Sequence, residues 1–254
     1  MLKVKNKNKN LKLISLNIEG HKHLAKVLDF LQAEAAEVIC LQEVFGVDVP
    51  VLAANLKMEY LFVPLSLVTK VNEHMSHALG ELGLAILYRV KLLKSESEYY
   101  VGNRKKLPIF FENENSNSMN RVLLWIKFEF DGQKMMLATT HFTWAPEGKF
   151  TKEQQADWLN FQQSLSKFPE LILTGDFNSP RTSGGVFEQL AAKYQDHIPQ
   201  EVKTTIDGRV HKSGKDLQLV VDGLFTSPEY SAQEVEVKRA GSDHLAVIAI
   251  ISKK

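Results

Sequence analysis

The sequence has almost no cysteine, no long apolar run and no excess of either charge. Cys40 is its only cysteine, which excludes an intrachain disulfide and any zinc site built on several thiolates. Without an oxidised framework the simpler expectation is a reducing compartment, and hence a cytoplasmic protein. The longest clean apolar stretch is Leu245–Ile251, seven residues, whereas a bilayer-spanning helix needs about 20. Lys and Arg number 31 against 30 Asp and Glu, a net charge of +1. That argues against nucleic-acid binding by overall charge, although a local basic patch is compatible with a neutral total. The stretch Met1 to Lys12 carries five lysines among asparagines and lacks the apolar segment of a secretory signal. Residues 1–10 are therefore expected to form a flexible basic tail.

What is present suits a globular fold. Of 254 residues, 44% are hydrophobic and 24% charged, enough to bury a large core. No internal repeat or low-complexity linker divides the chain, so residues 11–254 are expected to form one domain, acting as a monomer. Short apolar runs predict strands at Leu11–Leu16, Val38–Leu41, Leu82–Tyr88, Val122–Phe130, Met135–Ala138, Leu171–Leu173, Leu219–Val221 and Leu245–Ile251. Helical spacing appears at His23–Leu31, with Leu24, Val27, Leu28 and Leu31 on one face. Thr151–Leu165 opens with a capping box of Thr151 and Gln154 and sets Trp158, Leu159 and Leu165 along one side. A shorter helix is predicted at Gly185–Lys193. Strands without strict βαβ alternation predict two packed, mainly antiparallel sheets flanked by helices. Ser66–Glu81, Gly102–Asn120, Thr143–Phe150 and Gln200–Asp216 read as loops, with Asn113–Asn120 expected to be mobile.

Chemistry concentrates where the apolar runs end. Asn17 follows Leu13–Leu16, Glu43 follows Val38–Gln42, and His141 follows Met136–Thr140. Asp176 and Asn178 follow Leu171–Gly175, Asp222 follows Leu219–Val221, and Ser242, Asp243 and His244 precede Leu245. Each has an ordinary alternative: Asn17 as a cap, Glu43 in a surface ion pair, Asp176 in an Asx-turn, Asp222 in a turn, His141 as a buried histidine. Taken together they offer oxygen ligands with two histidines and no thiolate. That set suits a hard cation, Mg²⁺ or in its place Mn²⁺.

The ordered series Ser15-Leu16-Asn17-Ile18-Glu19-Gly20, Leu41-Gln42-Glu43-Val44, Gly83–Leu87, Thr140-His141, Thr174-Gly175-Asp176-Phe177-Asn178-Ser179, Val221-Asp222 and Ser242-Asp243-His244 resembles the endonuclease/exonuclease/phosphatase superfamily, from about residue 11 to 251. Gly-Asp-Phe-Asn with a later Ser-Asp-His is the specific part; Leu-Gln-Glu alone is not. The resemblance implies a deoxyribonuclease I-like α/β fold, a four-layer sandwich of two sheets flanked by helices. It implies hydrolysis of phosphate esters by in-line attack of water, with Mg²⁺ offsetting phosphoryl charge.

Carried over by the resemblance, Glu43 is the principal metal ligand, assisted by Asn17 and Asp243. Asp176 orients or deprotonates the attacking water, with Asn178 beside it. His244 contacts the phosphate while Asp222 holds its other ring nitrogen, and His141 steadies or protonates the leaving oxygen. Arg121 resembles a supporting arginine, with a solvated strand-end charge as the alternative. The sequence departs from the family pattern at Leu16, where tryptophan is common, at Glu19, a candidate to assist the ligands, and at Gly223. His141 stands where abasic-site endonucleases carry tyrosine, which disfavours that activity.

Specificity is expected in the loops. Trp144 would stack on a base or lie against a lipid, and Arg181 would touch a second phosphate. Arg104, Lys105 and Lys106 would meet a phosphate backbone, with Lys212 and Lys215 in the late loop. The favoured reading is a nuclease-type phosphodiesterase acting on nucleic acid. The competing reading is a lipid or inositol phosphate hydrolase, for which apolar residues at Leu65–Val68 and Ile109–Phe111 speak.

Overall fold

Alternating burial sets the first strand between two cores. In the computed structural model, which describes residues 10–70, 79–110, 117–214 and 216–254, strand β1 spans Leu11–Asn17. Its Leu11 and Leu13 join one hydrophobic core, while Ile14 and Leu16 join another on the opposite face. Strand β2 (Val38–Phe45) repeats the pattern, with Val38 and Cys40 on one side and Ile39 and Leu41 on the other. Both faces are covered, so the strands read as continuous apolar runs.

The remaining strands are β3 (Glu59–Val68), β4 (Gly80–Tyr88), β5 (Lys91–Val101), β6 (Arg121–Phe130), β7 (Gln133–His141), β8 (Ile172–Asp176), β9 (Gln195–Asp196), β10 (Asp222–Thr226), β11 (Tyr230–Arg239) and β12 (Leu245–Lys253). They form two six-stranded sheets, ordered β11-β12-β1-β2-β4-β3 and β5-β6-β7-β8-β10-β9. Each sheet is antiparallel except for one central parallel pair, β1 with β2 and β7 with β8. Helices α1 (Leu24–Glu34) and α2 (Val49–Leu56) pack on the outer face of the first sheet through Val27, Leu31, Leu52 and Leu56. Helices α3 (Lys152–Leu165) and α4 (Val186–Ala191) pack with the second sheet. This is the expected deoxyribonuclease I-like sandwich.

This topology gathers one set of strand ends. The parallel strands β1, β2, β7 and β8 all run toward the same edge, where they deliver Asn17, Glu43, His141 and Asp176. The antiparallel neighbours β6, β10 and β12 begin at that edge, with Arg121, Asp222 and His244 at or beside their first residues. Ligands in sheets with parallel pairs sit beyond the carboxyl ends of those strands.

Several expectations are corrected. The run Leu219–Val221 is not a strand. Its carbonyls accept from Thr205, Arg181 and Phe177, and Val221 N–H donates to the Thr205 hydroxyl, so pairing starts only at Asp222. Leu159 does not join the buried side of α3. It is 66% exposed, and the buried stripe is Gln154, Trp158, Phe161 and Leu165. Thr151 caps Gln154 N–H at 3.2 Å, but the Gln154 side chain reaches the carbonyls of Thr143 and Asn178 in place of Thr151. Ser66 belongs to β3 rather than to a loop. The expected tail, apart from residue 10, residues 71–78 and 111–116 of the expected loops, and with them 113–116 of the expected mobile stretch, lie outside the described residues.

Gly175 shows how tightly the site strand is held. It has φ +146°, and a Cβ there would lie 2.1 Å from the Thr140 carbonyl oxygen of the parallel neighbour β7. Gly175→Ala is therefore expected to destabilise the fold by more than about 2 kcal/mol. Thermal or urea unfolding checks this; an unchanged midpoint would contradict the close approach.

Candidate active site

Glu43 reaches the site because its strand is irregular. Between Leu41 and Val44 two residues of β2, Gln42 and Glu43, face the single Leu84 of β4. Glu43 takes φ +52° at this bulge, an uncommon conformation for a residue with a side chain and one that redirects it. Asn17, at the end of β1, binds the result together. Its Nδ2 donates to Glu43 Oε1 at 3.0 Å and to Asp176 Oδ2 at 3.1 Å, while its Oδ1 accepts Glu19 N–H at 3.1 Å. In this arrangement Asn17 turns its amide nitrogen, not its oxygen, to the carboxylates. It bridges the two carboxylates.

Asp176 closes β8 and is buried. Its Oδ1 accepts Asn178 N–H at 2.8 Å, so the Asx-turn forms together with the site and does not replace it. Asn178, at φ +48°, donates from Nδ2 to the Phe142 carbonyl at 3.0 Å and lines the cavity. Asp222 and His244 form a buried pair, Oδ2 to Nδ1 at 2.9 Å. His244 Nε2 lies 3.8 Å from Asp176 Oδ2. The Ser242 hydroxyl donates to the Asn17 carbonyl at 2.8 Å, fastening this segment to β1.

Sequence reasoning missed Thr205, whose hydroxyl oxygen accepts the N–H groups of both Val221 and Asp222 at 3.1 Å. Asp207 N–H donates to the Asp243 carbonyl at 2.7 Å. Neither residue lies in a recognisable motif, and both are brought in only by the tertiary path of the late loop.

Electrostatics divide the site. Burial, then the neighbouring Asp243, pushes the Glu43 carboxyl up to about 7. Burial also raises Asp176, although the His244 charge works against it. Burial alone would lower His244, but Asp222, Asp176 and Asp243 outweigh it and hold the imidazole well above its ordinary value. His141 is held well below, by burial and then by the charges of Arg121 and His244. Its Nε2 lies 3.6 Å from both Glu43 Oε1 and Asp176 Oδ2, and its buried Nδ1 has no partner among the described residues. The site thus favours the charged form of one histidine and the neutral form of the other.

Arg121 is not a solvated strand-end charge. It is buried, donating to the His141 carbonyl at 3.2 Å and to Asn117 Oδ1 at 2.8 Å, and it lines the cavity. No carboxylate among the described residues forms an ion pair with it. Asp157, Asp176 and Glu153 act on it only through space, so a buried cation without a direct ion pair favours an anion beside it.

The floor of the cavity, about 1000 Å³ in volume, carries Glu43, Asp176, Asp243, His141 and His244, and Trp144 stands in its wall. Arg181 is not brought there: it pairs with Asp196 at 3.2 Å and donates to the carbonyls of Ile198 and Pro199. Arg104, Lys105 and Lys106 do not line the cavity either. Lys212 does line it, and Lys215 is outside the described residues. Glu19 lines it, but its carboxylate is taken up by Lys22 at 2.8 Å and His23 at 2.9 Å.

A divalent cation fits this donor set. Glu43 and Asp243 repel each other in a buried place, and that repulsion is part of what raises Glu43. Oxygen donors held close without a counter-ion are the usual surroundings of a hard metal ion. Asp176, Asp222 and His244 also place one donor atom each within 4.8 Å of one another. The 2.9 Å bond between Asp222 and His244 already employs that histidine nitrogen, so the carboxylates of Glu43 and Asp243 are the freer ligands.

The Endonuclease/Exonuclease/phosphatase family model matches residues 14–244. The chain belongs to this family. Members of the family hydrolyse phosphate esters. Solved structures with the same fold include the human Nocturnin catalytic domain with bound sulfate (18% identity, TM-score 0.70, covering 97% of this chain and 96% of that one). A humanised D. rerio TDP2 is 18% identical with TM-score 0.66, covering 96% and 99%. A Bacteroides thetaiotaomicron mannosyl-6-phosphatase is 15% identical with TM-score 0.66, covering 95% and 99%. No curated protein sequence matches the chain. Among the described residues no helix is long and apolar enough to cross a membrane.

Proposed function

We propose that this family member is a divalent-metal-dependent phosphodiesterase of nuclease type, cleaving its substrate by in-line attack of water. The observation that carries the reading is the convergence of Glu43, Asp176, Asp222, Asp243, His141 and His244 at one edge of both sheets, beside the buried Arg121. Glu43 and Asp243 would hold the metal ion, Mg²⁺ or Mn²⁺, which supplies charge neutralisation at the phosphoryl oxygens. Asp176, raised by burial into a range suited to proton transfer near neutrality, accepts the proton of the attacking water. Asn178 fixes its orientation through the 2.8 Å bond. His244, oriented and kept cationic by Asp222, contacts the phosphate together with Arg121. His141, whose charged form burial and the nearby Arg121 and His244 disfavour, suits hydrogen bonding to the leaving oxygen better than proton donation.

A second reading, hydrolysis of a lipid or inositol phosphate, draws on the apolar residues Phe110, Met119, Leu217 and Leu219 in the cavity wall. Leu65 and Val68, which sequence had offered for that reading, are core residues instead. A panel of single- and double-stranded DNA, RNA, sphingomyelin, inositol phosphates and bis-p-nitrophenyl phosphate with Mg²⁺ separates the two. Nucleic-acid cleavage abolished by excess EDTA is expected. Hydrolysis of lipid alone, or turnover indifferent to chelation, would overturn the nuclease reading.

A further inference from the structure

Building on the phosphoesterase reading, we infer that the cavity recognises an unpaired nucleobase next to the scissile phosphate, and that Trp144 is the specificity-determining surface on which the base stacks. The chain has three tryptophans. Trp125 and Trp158 are buried, at 7% and 6% exposure, whereas Trp144 is 45% exposed and stands in the cavity wall. No aromatic ring among the described residues packs against it.

Trp144 is also held in place. Asn117 clamps its backbone from both sides: Trp144 N–H donates to Asn117 Oδ1 at 2.9 Å, and Asn117 Nδ2 donates to the Trp144 carbonyl at 2.9 Å. The same Asn117 oxygen accepts from Arg121 at 2.8 Å. The Arg121 guanidinium and the Trp144 backbone are therefore tied to one side chain, which sets a cavity-lining cation beside an uncovered indole, as a ligand with a phosphate and a neighbouring flat ring requires. Such preorganisation lowers the cost of ordering on binding.

The free face of the Trp144 ring selects an unpaired base, because a base stacked on both sides within a duplex has no face to offer it. A pocket of about 1000 Å³ admits one or two nucleotides, whereas a base inside a duplex is reached only by extrusion from its stack. Two exposed rim residues, Lys152 and Lys212, are cations, which suits a nucleotide phosphate better than an acyl chain; the third charge there, Glu153, is anionic and accepts from Asn117.

The test uses Glu43→Gln, whose impaired turnover allows binding to be observed without cleavage. Its tryptophan fluorescence is titrated with a nucleoside monophosphate, a short single-stranded oligonucleotide, ribose 5-phosphate and phosphatidylcholine vesicles. Quenching by either base-bearing ligand, and not by the other two, is expected; comparing the first two tells a free nucleotide from a strand end. In the wild-type background, Trp144→Ala should lower kcat/KM for a nucleotide ester relative to an alkyl phosphodiester by about tenfold, and Trp144→Phe should restore most of it. Equal quenching by ribose 5-phosphate, a response to vesicles alone, or an unchanged kcat/KM ratio in Trp144→Ala would overturn the inference. If the wild type hydrolysed no ester while base-dependent quenching persisted, the phosphoesterase reading would fail and the base site would stand.

Discussion

Glu43→Gln should leave the fold intact and lower turnover at least about a hundredfold, on the scale of losing one positioned charged group. Its stability in a metal-free buffer should move the other way. Burial and Asp243 raise the Glu43 carboxyl from 4.5 to about 7, so the folded state binds its proton more tightly than the unfolded state does. Stability from this group is complete below pH about 4.5 and is lost as pH rises to about 7, a loss of about 3 kcal/mol at about 1.4 kcal/mol per unit. The Gln variant carries no such charge and should not show that decline. Denaturation in EDTA at pH 5 and pH 8 measures the difference, and Mg²⁺ should restore the wild type chiefly at the higher pH. Parallel pH profiles for the two proteins would mean that Glu43 is not the strained carboxylate described.

Asp222→Asn is expected to have an effect of similar size by a different route. Asp222 does two things to His244: it fixes the ring through Nδ1 at 2.9 Å, and it is the largest of the influences that keep the ring charged. An amide is a comparable hydrogen-bond partner in shape, but it carries no charge and permits the wrong tautomer. Turnover should fall by about a hundredfold or more. The alkaline limb of the pH–rate profile should shift to lower pH, because His244 loses its proton earlier. A loss of activity with the alkaline limb unmoved would show that Asp222 is needed only for structure.

The core of the site was legible because its residues sit where buried strands run out, and strands such as Val38–Leu41 and Leu245–Ile251 announce themselves by being apolar throughout. What was illegible followed the opposite rule. Strand β5 (Lys91–Val101) lies at a sheet edge and is largely solvent-facing, so Lys-Ser-Glu-Ser-Glu gave no apolar signal. β11 (Tyr230–Arg239) is the edge of the other sheet and equally polar. The short helix α2 (Val49–Leu56) escaped because eight residues offer too little periodicity. Arg181 was misplaced since sequence proximity to Asp176 does not reveal that Asp196 lies nearer in space. Arg121 was left between two roles because its burial depends on Asn117 and the His141 carbonyl, which only the folded chain supplies. Trp144 was noticed, but the Asn117 clamp that fixes it spans 27 residues and has no motif.

The two sheets contribute equally to the machinery, but from different stretches of the chain. The first contributes Glu43 and, just before β12, Asp243 and His244; the second contributes His141, Asp176 and Asp222. The amino-proximal β1 pairs with β12, Leu11 opposite Ile251. A nascent polypeptide emerging from the ribosome therefore lacks a working centre until β12 has been synthesised and has docked beside β1. Premature termination should yield inert fragments rather than unregulated hydrolases.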